Sequence, residues 1–266
     1  MAVIFVLLLL YIGYMLLFTH LTVLSVGYFI LWTIVSILLS VITLVLLVFI
    51  FIYPYLLKSK YNSKIKHAII YQFVWFLNRL LGFRIKVEGK ENIPYGRKYV
   101  VIGNHKSKCD VMIIYEIFKN PMAAVAKDNL LKVPFLRGLM YSIGCIPIDR
   151  GNDREALKNL RQGYKQVEDG YPMMVFPEGG IKTRDTEKMV DIRPGAYKLA
   201  TKPEADIVPV VIKGASKISK NALRRKTKID VKILEPMRYE EYKDLTTVEL
   251  GDHFFNLINK EFNDEE

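Results

Sequence analysis

The pattern of hydrophobic and polar residues divides the chain near residue 58. Residues 1–57 are almost wholly apolar and contain no Asp, Glu, Lys or Arg. One helix of that length would measure about 86 Å, whereas the hydrocarbon core of a bilayer is only about 30 Å thick. Polar and small residues collect in Thr19–Gly27, so we place a turn there and predict membrane spans near residues 2–19 and 28–52. The pattern therefore predicts a membrane hairpin anchor over residues 1–57.

The flanks of this segment bear on its orientation. A cleaved signal peptide would be shorter, with a positive start and a small-residue cleavage site, and the segment has none of these features. Lys58, Lys60, Lys64 and Lys66 follow it directly. Positive residues collect on the cytoplasmic side of membrane spans. We therefore expect a protein of the cell membrane whose remaining chain lies on the cytoplasmic side.

Residues 61–81 have apolar positions at helical spacing, and we assign residues 58–82 to an amphipathic interfacial linker helix. Such a helix lies in the lipid interface or packs on the following domain, and the pattern fits both arrangements. The apolar positions are Ile65, Ile69, Phe73, Phe76, Leu77 and Leu80, and the polar ones are Lys64, Lys66, Gln72, Asn78 and Arg79.

From residue 83 onward, short β-rich runs alternate with helical stretches. This alternation predicts an α/β fold, a mixed and largely parallel sheet flanked by helices, in one domain over residues 83–266. Strands are predicted at 83–89, 98–104, 122–127, 145–149, 172–180, 207–214 and 229–235. Helices are predicted at 110–118, 130–141, 153–168, 195–201 and 246–262, with a polar loop at 182–194.

The charges add a preference for phosphate. The chain has 38 Lys and Arg against 27 Asp and Glu, a net charge of +11, and all of these residues follow the apolar segment. A basic balance suits nucleic acid, an anionic membrane or phosphorylated small molecules, and is also found on plain solvated surfaces. The apolar segment favours lipid phosphate, and the charges lack the aromatic spacing of nucleic-acid binding. Cys109 and Cys145 make no disulfide framework, and the four histidines have no zinc-ligand spacing.

The segment Asn104–Asp110 is the strongest candidate for chemistry. A predicted strand delivers Asn104 and His105 to its carboxyl end, where ligands bind in open α/β sheets. Asp110 follows five residues after His105, at the predicted start of a helix. A carboxylate that orients an imidazole makes a general base for a hydroxyl group. Alone, this spacing is weak evidence for a base, because a histidine in a turn followed by an N-cap aspartate is the commoner explanation of such a match.

Three further segments change that balance. They are Gly144–Arg150, Phe176–Gly180 (FPEGG) and Ile207–Val211. In this order and spacing, the four segments resemble the four conserved blocks of the glycerophospholipid acyltransferase family, over about residues 80–235. The combination of NH, four residues and D with FPEG is specific to that family.

The resemblance implies a role for each matched residue. His105 is the expected base and Asp110 its orienting carboxylate, with no covalent acyl-enzyme and no cofactor, so Cys109 is read as a small filler. Arg150 is the expected phosphate clamp, because guanidinium binds phosphate bidentately. The remaining expected substrate-binding residues are Asn104, Glu178, Gly179 and Gly180.

The sequence departs from the family pattern at two places. Gly180 and Ile181 stand where the third block usually has Thr, or a similar residue, and Arg. Arg184 is the basic residue we expect to reach the phosphate instead. Pro147 stands where the second block usually has an aromatic residue.

The resemblance implies transfer of a fatty acyl group from acyl carrier protein or acyl-CoA to lysophosphatidic acid, giving phosphatidic acid. Membrane lipids are the further expected partners, and no binding of nucleic acid is expected. Two alternatives remain open. One is the same chemistry on another acceptor, such as glycerol 3-phosphate or another lysophospholipid. The other is a non-catalytic membrane protein that binds anionic lipid.

Overall fold

The computed structural model describes residues 2–19, 26–127, 132–148, 153–221 and 225–263. The predicted turn in the apolar segment falls largely outside these ranges. The helices are α1 (Ala2–Thr19), α2 (Val26–Leu47), α3 (Tyr53–Lys58), α4 (Lys64–Leu80), α5 (Asp110–Phe118), α6 (Pro134–Ser142), α7 (Asp153–Glu168), α8 (Lys198–Thr201), α9 (Ile218–Asn221), α10 (Tyr239–Tyr242) and α11 (Thr247–Lys260). The strands are β1 (Phe83–Glu88), β2 (Tyr99–Gly103), β3 (Ala123–Lys127), β4 (Ile146–Ile148), β5 (Met173–Val175), β6 (Asp206–Lys213) and β7 (Thr227–Ile233).

The seven strands form one sheet in the order β1-β7-β6-β2-β5-β3-β4. β6 and β7 pair antiparallel, and every other neighbouring pair is parallel. The predicted α/β class with a mixed, largely parallel sheet is therefore confirmed. The strands β2 to β6 all end at the same edge of the sheet, called the carboxyl edge below.

The two faces of the sheet carry separate hydrophobic cores, because successive side chains of a strand point to opposite faces. Tyr99 and Val101 of β2 pack in one core with α4 and α5. Val100 and Ile102 pack in the other with α7, α8 and α11. All of β2 is buried, so it is a central strand that holds whatever follows it in a fixed position.

Two apolar helices, α1 and α2, precede this domain. α2 continues through a π-helical turn, Val48–Ile52, into α3. The continuous helical segment Tyr28–Lys58 has 31 residues and a mean hydropathy of 3.2, and only 11% of its most apolar window is buried. By length and composition it is the one helix of the described chain suited to cross a membrane, and the apolar stretch Phe5–Leu17 of α1 is shorter. Such a helix is compatible with membrane association.

The long apolar helix leaves the domain on the side of the carboxyl edge. Since α6 connects the parallel strands β3 and β4, it starts at the carboxyl edge and runs back to the opposite edge. Near its start, the Phe135 ring lies 5.4 Å from Phe49 and 5.0 Å from Tyr53 between centroids. Near its end, the Ser142 carbonyl accepts a hydrogen bond from Lys66 Nζ, which also donates to the Ser59 carbonyl. The residues before Phe49 therefore project beyond the carboxyl edge.

The amphipathic helix α4 packs on the domain through some of its predicted polar residues. Lys66 and Asn78 are fully buried, and Asn78 Nδ2 donates to Glu116 Oε2 over 2.7 Å. Ile65 and Leu80 of the predicted apolar side are 66% and 57% exposed. Two predicted polar residues thus help hold α4 to the domain beside the buried Ile70, and two predicted apolar residues stay exposed.

Candidate active site

His105 and Asp110 meet at the carboxyl edge of the sheet. β2 ends at Gly103, and the following loop returns to α5, which starts with Asp110. Nδ1 of His105 lies 2.9 Å from Oδ2 of Asp110. The backbone N–H groups of Lys106 and Ser107 donate to the same oxygen, each over 2.8 Å. Asp110 is fully buried and the His105 side chain is 16% exposed, so the carboxylate orients a ring whose edge solvent can reach.

The segment after β5 also contacts the His105 ring. Phe176 follows β5 and stacks on the His105 imidazole, with centroids 4.3 Å apart and planes 14° apart. The backbone N–H of His105 donates to Oε1 of Glu178 over 2.8 Å. Among the described residues, Nε2 of His105 has no hydrogen-bond partner, so it is the nitrogen left for a substrate.

Glu178 is buried beside the His105–Asp110 pair and contacts only other protein groups in the described part of the chain. Its Oε2 forms an ion pair with Nζ of Lys106 over 3.0 Å, with both side chains completely buried. The same oxygen accepts from the Val190 N–H over 3.4 Å. Both carboxylate oxygens serve these internal contacts, so Glu178 positions the segment that carries His105. A contact of Glu178 with substrate stays a prediction.

Asn104 also makes internal contacts. Its side chain is fully buried. Nδ2 donates to the carbonyls of Ile212 (2.8 Å) and Glu187 (2.9 Å), and Oδ1 accepts from the Ile212 N–H (2.8 Å). Its amide thus joins β2 to β6 and to the loop 182–194. A contact of Asn104 with substrate stays a prediction.

The glycine turn after Glu178 brings an unpredicted arginine to the site. Gly179 and Gly180 have φ values of +67° and +147°, which side chains rarely adopt. A Cβ at Gly179 would lie 2.4 Å from Nε of Arg193. The exposed Arg193 side chain therefore crosses the turn directly. Two residues earlier in the chain, Asp191 pairs with Lys182 over 2.7 Å.

The loop 182–194 is polar, as predicted, and is fastened to the domain. Oε1 of Glu187 accepts from the N–H groups of Gly214 (3.1 Å) and Ser216 (3.2 Å) and from the Ser216 hydroxyl (2.5 Å). Met189 is buried, and its N–H donates to Asn259 over 2.7 Å. The loop is thus held in place beside the catalytic candidates.

Two further predicted site residues are Arg150 and Arg184. Arg150 lies outside the described residues. Arg184 is exposed on the loop, and within the described ranges no contact joins it to His105 or Asp110. Burial raises the pKa of the Cys109 thiol, which keeps it protonated and fits the filler role. In the described part of the chain, no cluster of three His, Cys, Asp or Glu residues could hold a metal ion.

Sequence reasoning missed two residues, Phe176 and Arg193. Phe176 stands in the FPEGG segment, but its role depends on a stacking contact across 71 residues of chain. Arg193 directly precedes Pro194-Gly195-Ala196. The small pair Gly195-Ala196 resembles the residues that follow the third block of the glycerophospholipid acyltransferase family, and it could have pointed to Arg193 as a site residue. In both cases the fold, not local spacing, creates the contact.

Known proteins are similar to this chain in sequence and in fold. Residues 84–213 match the family model described as Acyltransferase. The 1-acyl-sn-glycerol-3-phosphate acyltransferase of Saccharomyces cerevisiae is 31% identical over 183 residues, which cover 68% of this chain and 59% of the relative. The protein of the same name from Borreliella burgdorferi is 32% identical over 133 residues, which cover 50% of this chain and 52% of the relative. The chain thus spans between half and three fifths of the length of these relatives.

The fold is also that of a solved structure. The crystal structure of the 1-acyl-sn-glycerophosphate (LPA) acyltransferase from Thermotoga maritima aligns with a TM-score of 0.66 and 22% identity, covering 84% of this chain and 91% of that one. The matched residues 84–213 hold the whole His105–Asp110–Glu178 arrangement. The chain therefore carries a domain of the Acyltransferase family.

Proposed function

We propose that this protein transfers a fatty acyl group from acyl carrier protein or acyl-CoA to the sn-2 hydroxyl of lysophosphatidic acid, giving phosphatidic acid. The observation that carries the proposal is the His105–Asp110 pair, with Nδ1 bound to a buried carboxylate and Nε2 left for a hydroxyl. The names of the similar proteins give the acceptor class.

The pair acts as a general base. The Nδ1–H of His105 donates to Asp110, so Nε2 takes the proton of the acceptor hydroxyl while its oxygen attacks the thioester carbonyl. The carbon–sulfur bond then breaks, and the leaving thiolate takes the proton back from His105. The acyl group goes directly from donor to acceptor, and the base returns to its neutral form without a covalent intermediate.

The acceptor phosphate binds at the glycine turn. Arg193 crosses Gly179 with an exposed guanidinium, and Arg184 stands on the same loop. Guanidinium groups bind phosphate with paired, charge-assisted hydrogen bonds. Gly179 and Gly180 keep the turn free of side chains, so the glycerol backbone can lie between Arg193 and the His105 ring. Arg150 is the third candidate for the phosphate.

The membrane segment suits this reaction. We propose residues 1–57 as a membrane anchor, 58–82 as an interfacial linker and 83–266 as the acyltransferase domain, which lies on the cytoplasmic side. The apolar helix projects from the carboxyl edge of the sheet, the edge that also carries His105. Its residues from Tyr28 to Phe49 measure about 30 Å as a helix, the thickness of a hydrocarbon core. An acceptor in the bilayer can thus reach the base without leaving the lipid.

The test is an acyl-transfer assay on the purified full chain with labelled donor and an acceptor panel. Lysophosphatidate should yield phosphatidate faster than glycerol 3-phosphate or lysophosphatidylcholine yields product, with either acyl carrier protein or coenzyme A released in equal amount. Faster transfer to another acceptor would change the proposed substrate but leave the proposed acyl-transfer reaction in place. Binding to lipid vesicles without turnover on any donor would refute the enzyme.

A further inference from the structure

The first turn of α6 exposes apolar side chains at the edge of the domain. Lys132–Arg137 is exposed at every position. Within it, Val133 is 48% exposed and Phe135 and Leu136 are each 37% exposed. Three neighbouring large apolar residues between two cations form an unusual surface for a water-facing turn. The same composition is typical of segments that lie at a lipid interface.

This turn, called the α6 tip below, lies beside the apolar helix. The Phe135 ring contacts both Phe49 and Tyr53. Gly138, one turn later, has Tyr53 Oη only 2.1 Å from where a Cβ would stand. The π-helical turn Val48–Ile52 falls at the same level. The α6 tip is therefore continuous with the segment that leaves the domain toward the membrane.

A second apolar spot flanks the same edge. Leu77 and Leu80, in the last turns of α4, are 41% and 57% exposed. The neighbouring Asn78 donates to the Met112 carbonyl at the start of α5, which places this end of α4 at the carboxyl edge. Exposed apolar residues thus stand on α4 and on α6 at the edge from which the anchor projects.

We infer that the α6 tip inserts into the lipid bilayer as a second point of contact beside the anchor. Val133, Phe135 and Leu136 enter the boundary between headgroups and acyl chains, while Lys132 and Arg137 extend to lipid phosphate. A domain joined to its anchor through one helix can tilt about that junction. A second contact removes that freedom and holds the His105 edge against the lipid. The inference rests on the proposed membrane anchoring and does not depend on acyl transfer.

The insertion can be measured by depth. The full chain, with Cys109→Ser, Cys145→Ala and Leu136→Cys, carries an environment-sensitive fluorophore at the new thiol and is reconstituted into phosphatidylcholine and phosphatidylglycerol bilayers. Leu245→Cys in the same background is the matched control, because Leu245 is also 37% exposed and follows α10, which packs at the opposite edge through the Ala205 carbonyl.

We expect blue-shifted emission at residue 136 and loss of most of its intensity when the lipids carry bromine on their acyl chains. The probe at residue 245 should keep its intensity. Equal behaviour of the two probes would overturn the inference. So would a blue shift at residue 136 that appears in detergent and grows with protein concentration, since that would show a second copy of this chain covering the tip.

A functional arm uses no cysteine. Leu136→Glu should raise the apparent KM for lysophosphatidate presented in bilayers several-fold and leave kcat in detergent micelles unchanged, whereas Leu245→Glu should alter neither. An unchanged KM for Leu136→Glu in bilayers would contradict the inference. If the chain has no acyl-transfer activity at all, the fluorescence arm still decides whether the tip is in lipid.

Discussion

Nζ of Lys106 lies 3.0 Å from Oε2 of Glu178, and neither side chain has any exposed surface. The pair joins the loop after β2 to the turn after β5, the two segments that carry His105 and Phe176. Glu178 also accepts the N–H of His105. A buried ion pair at this point sets the distance between the base and the turn that is proposed to hold the acceptor.

Removing one partner of this pair should be severe. Lys106→Met leaves a buried carboxylate without its cation, which typically costs about 3–5 kcal/mol of folding free energy. We expect a large fall in the thermal midpoint of the detergent-solubilised protein and loss of acyl transfer. Adding Glu178→Gln to Lys106→Met should recover part of the midpoint, because a neutral amide still accepts the His105 N–H. If the two substitutions destabilise additively, the ion pair is not an energetic unit.

Arg193 should govern acceptor affinity. Arg193→Ala should raise the KM for lysophosphatidate about tenfold or more, since a hydrogen bond to a charged group contributes about 1.5–3 kcal/mol. Arg193→Lys keeps the charge without the paired geometry and should give an intermediate KM. Lys182→Ala, whose ammonium already pairs with Asp191, is the control and should change the KM little. A KM for Arg193→Ala equal to that of wild type would remove Arg193 from the phosphate site.

Gly138 should be a point of close contact between α6 and the apolar helix. An added Cβ would lie 2.1 Å from Tyr53 Oη and 3.0 Å from Leu57 Cδ2. In a helix without such a neighbour, Gly→Ala gains about 1 kcal/mol. We expect Gly138→Ala to lower the thermal midpoint in wild type and to lower it less in a Tyr53→Phe background, where the crowded oxygen is gone. A stabilising effect in both backgrounds would show that the two helices are not packed this closely.

His67 should make stability depend on pH. Burial lowers the pKa of His67 from 6.5 to about 4, with Nδ1 beside the Tyr115 hydroxyl and Nε2 2.7 Å from the Tyr61 carbonyl. The unfolded chain takes up a proton below pH 6.5, whereas the folded chain resists it until about pH 4. The folding free energy is thus unaffected by His67 well above pH 6.5 and falls with decreasing pH, by about 1.4 kcal/mol at pH 5.5.

The measurement is the denaturation midpoint of the detergent-solubilised protein between pH 7.5 and pH 5.5. His67→Gln should be less stable than wild type at the higher pH and should lose less stability toward the lower one. Equal pH slopes for the two proteins would assign the acid sensitivity to other groups.

The part of the site that is local in sequence could be predicted. His105 and Asp110 are five residues apart on a strand end and a helix start, and periodicity alone indicates both elements. α5 and α7 have the predicted bounds, because apolar spacing and acidic first residues mark their ends. The predicted helix at 130–141 begins later, at Pro134, since proline fits the first turn of a helix.

Contacts between distant segments could not be predicted in this way. The helical pattern of α4 marks Lys66 as a surface residue, yet its ammonium is buried because two backbone carbonyls, of Ser59 and Ser142, lie within reach. The sequence predicts that the Glu178 carboxylate binds a ligand. Only the fold shows that this carboxylate accepts hydrogen bonds from Lys106 and from the His105 N–H. Burial of polar groups depends on partners supplied by the fold, and hydrophobic periodicity contains no information about them.

The central claim is that Nε2 of His105 removes the proton of the acceptor hydroxyl while Asp110 holds the ring. The most direct measurement is the single-turnover rate of phosphatidate formation with saturating labelled acyl donor and lysophosphatidate, for wild type, His105→Gln and Asp110→Asn, each checked for an unchanged thermal midpoint. The account predicts that each variant loses about 10²–10⁴-fold in rate, with no acyl-enzyme trapped at any time. A folded His105→Gln protein that forms phosphatidate at the wild-type rate would contradict it.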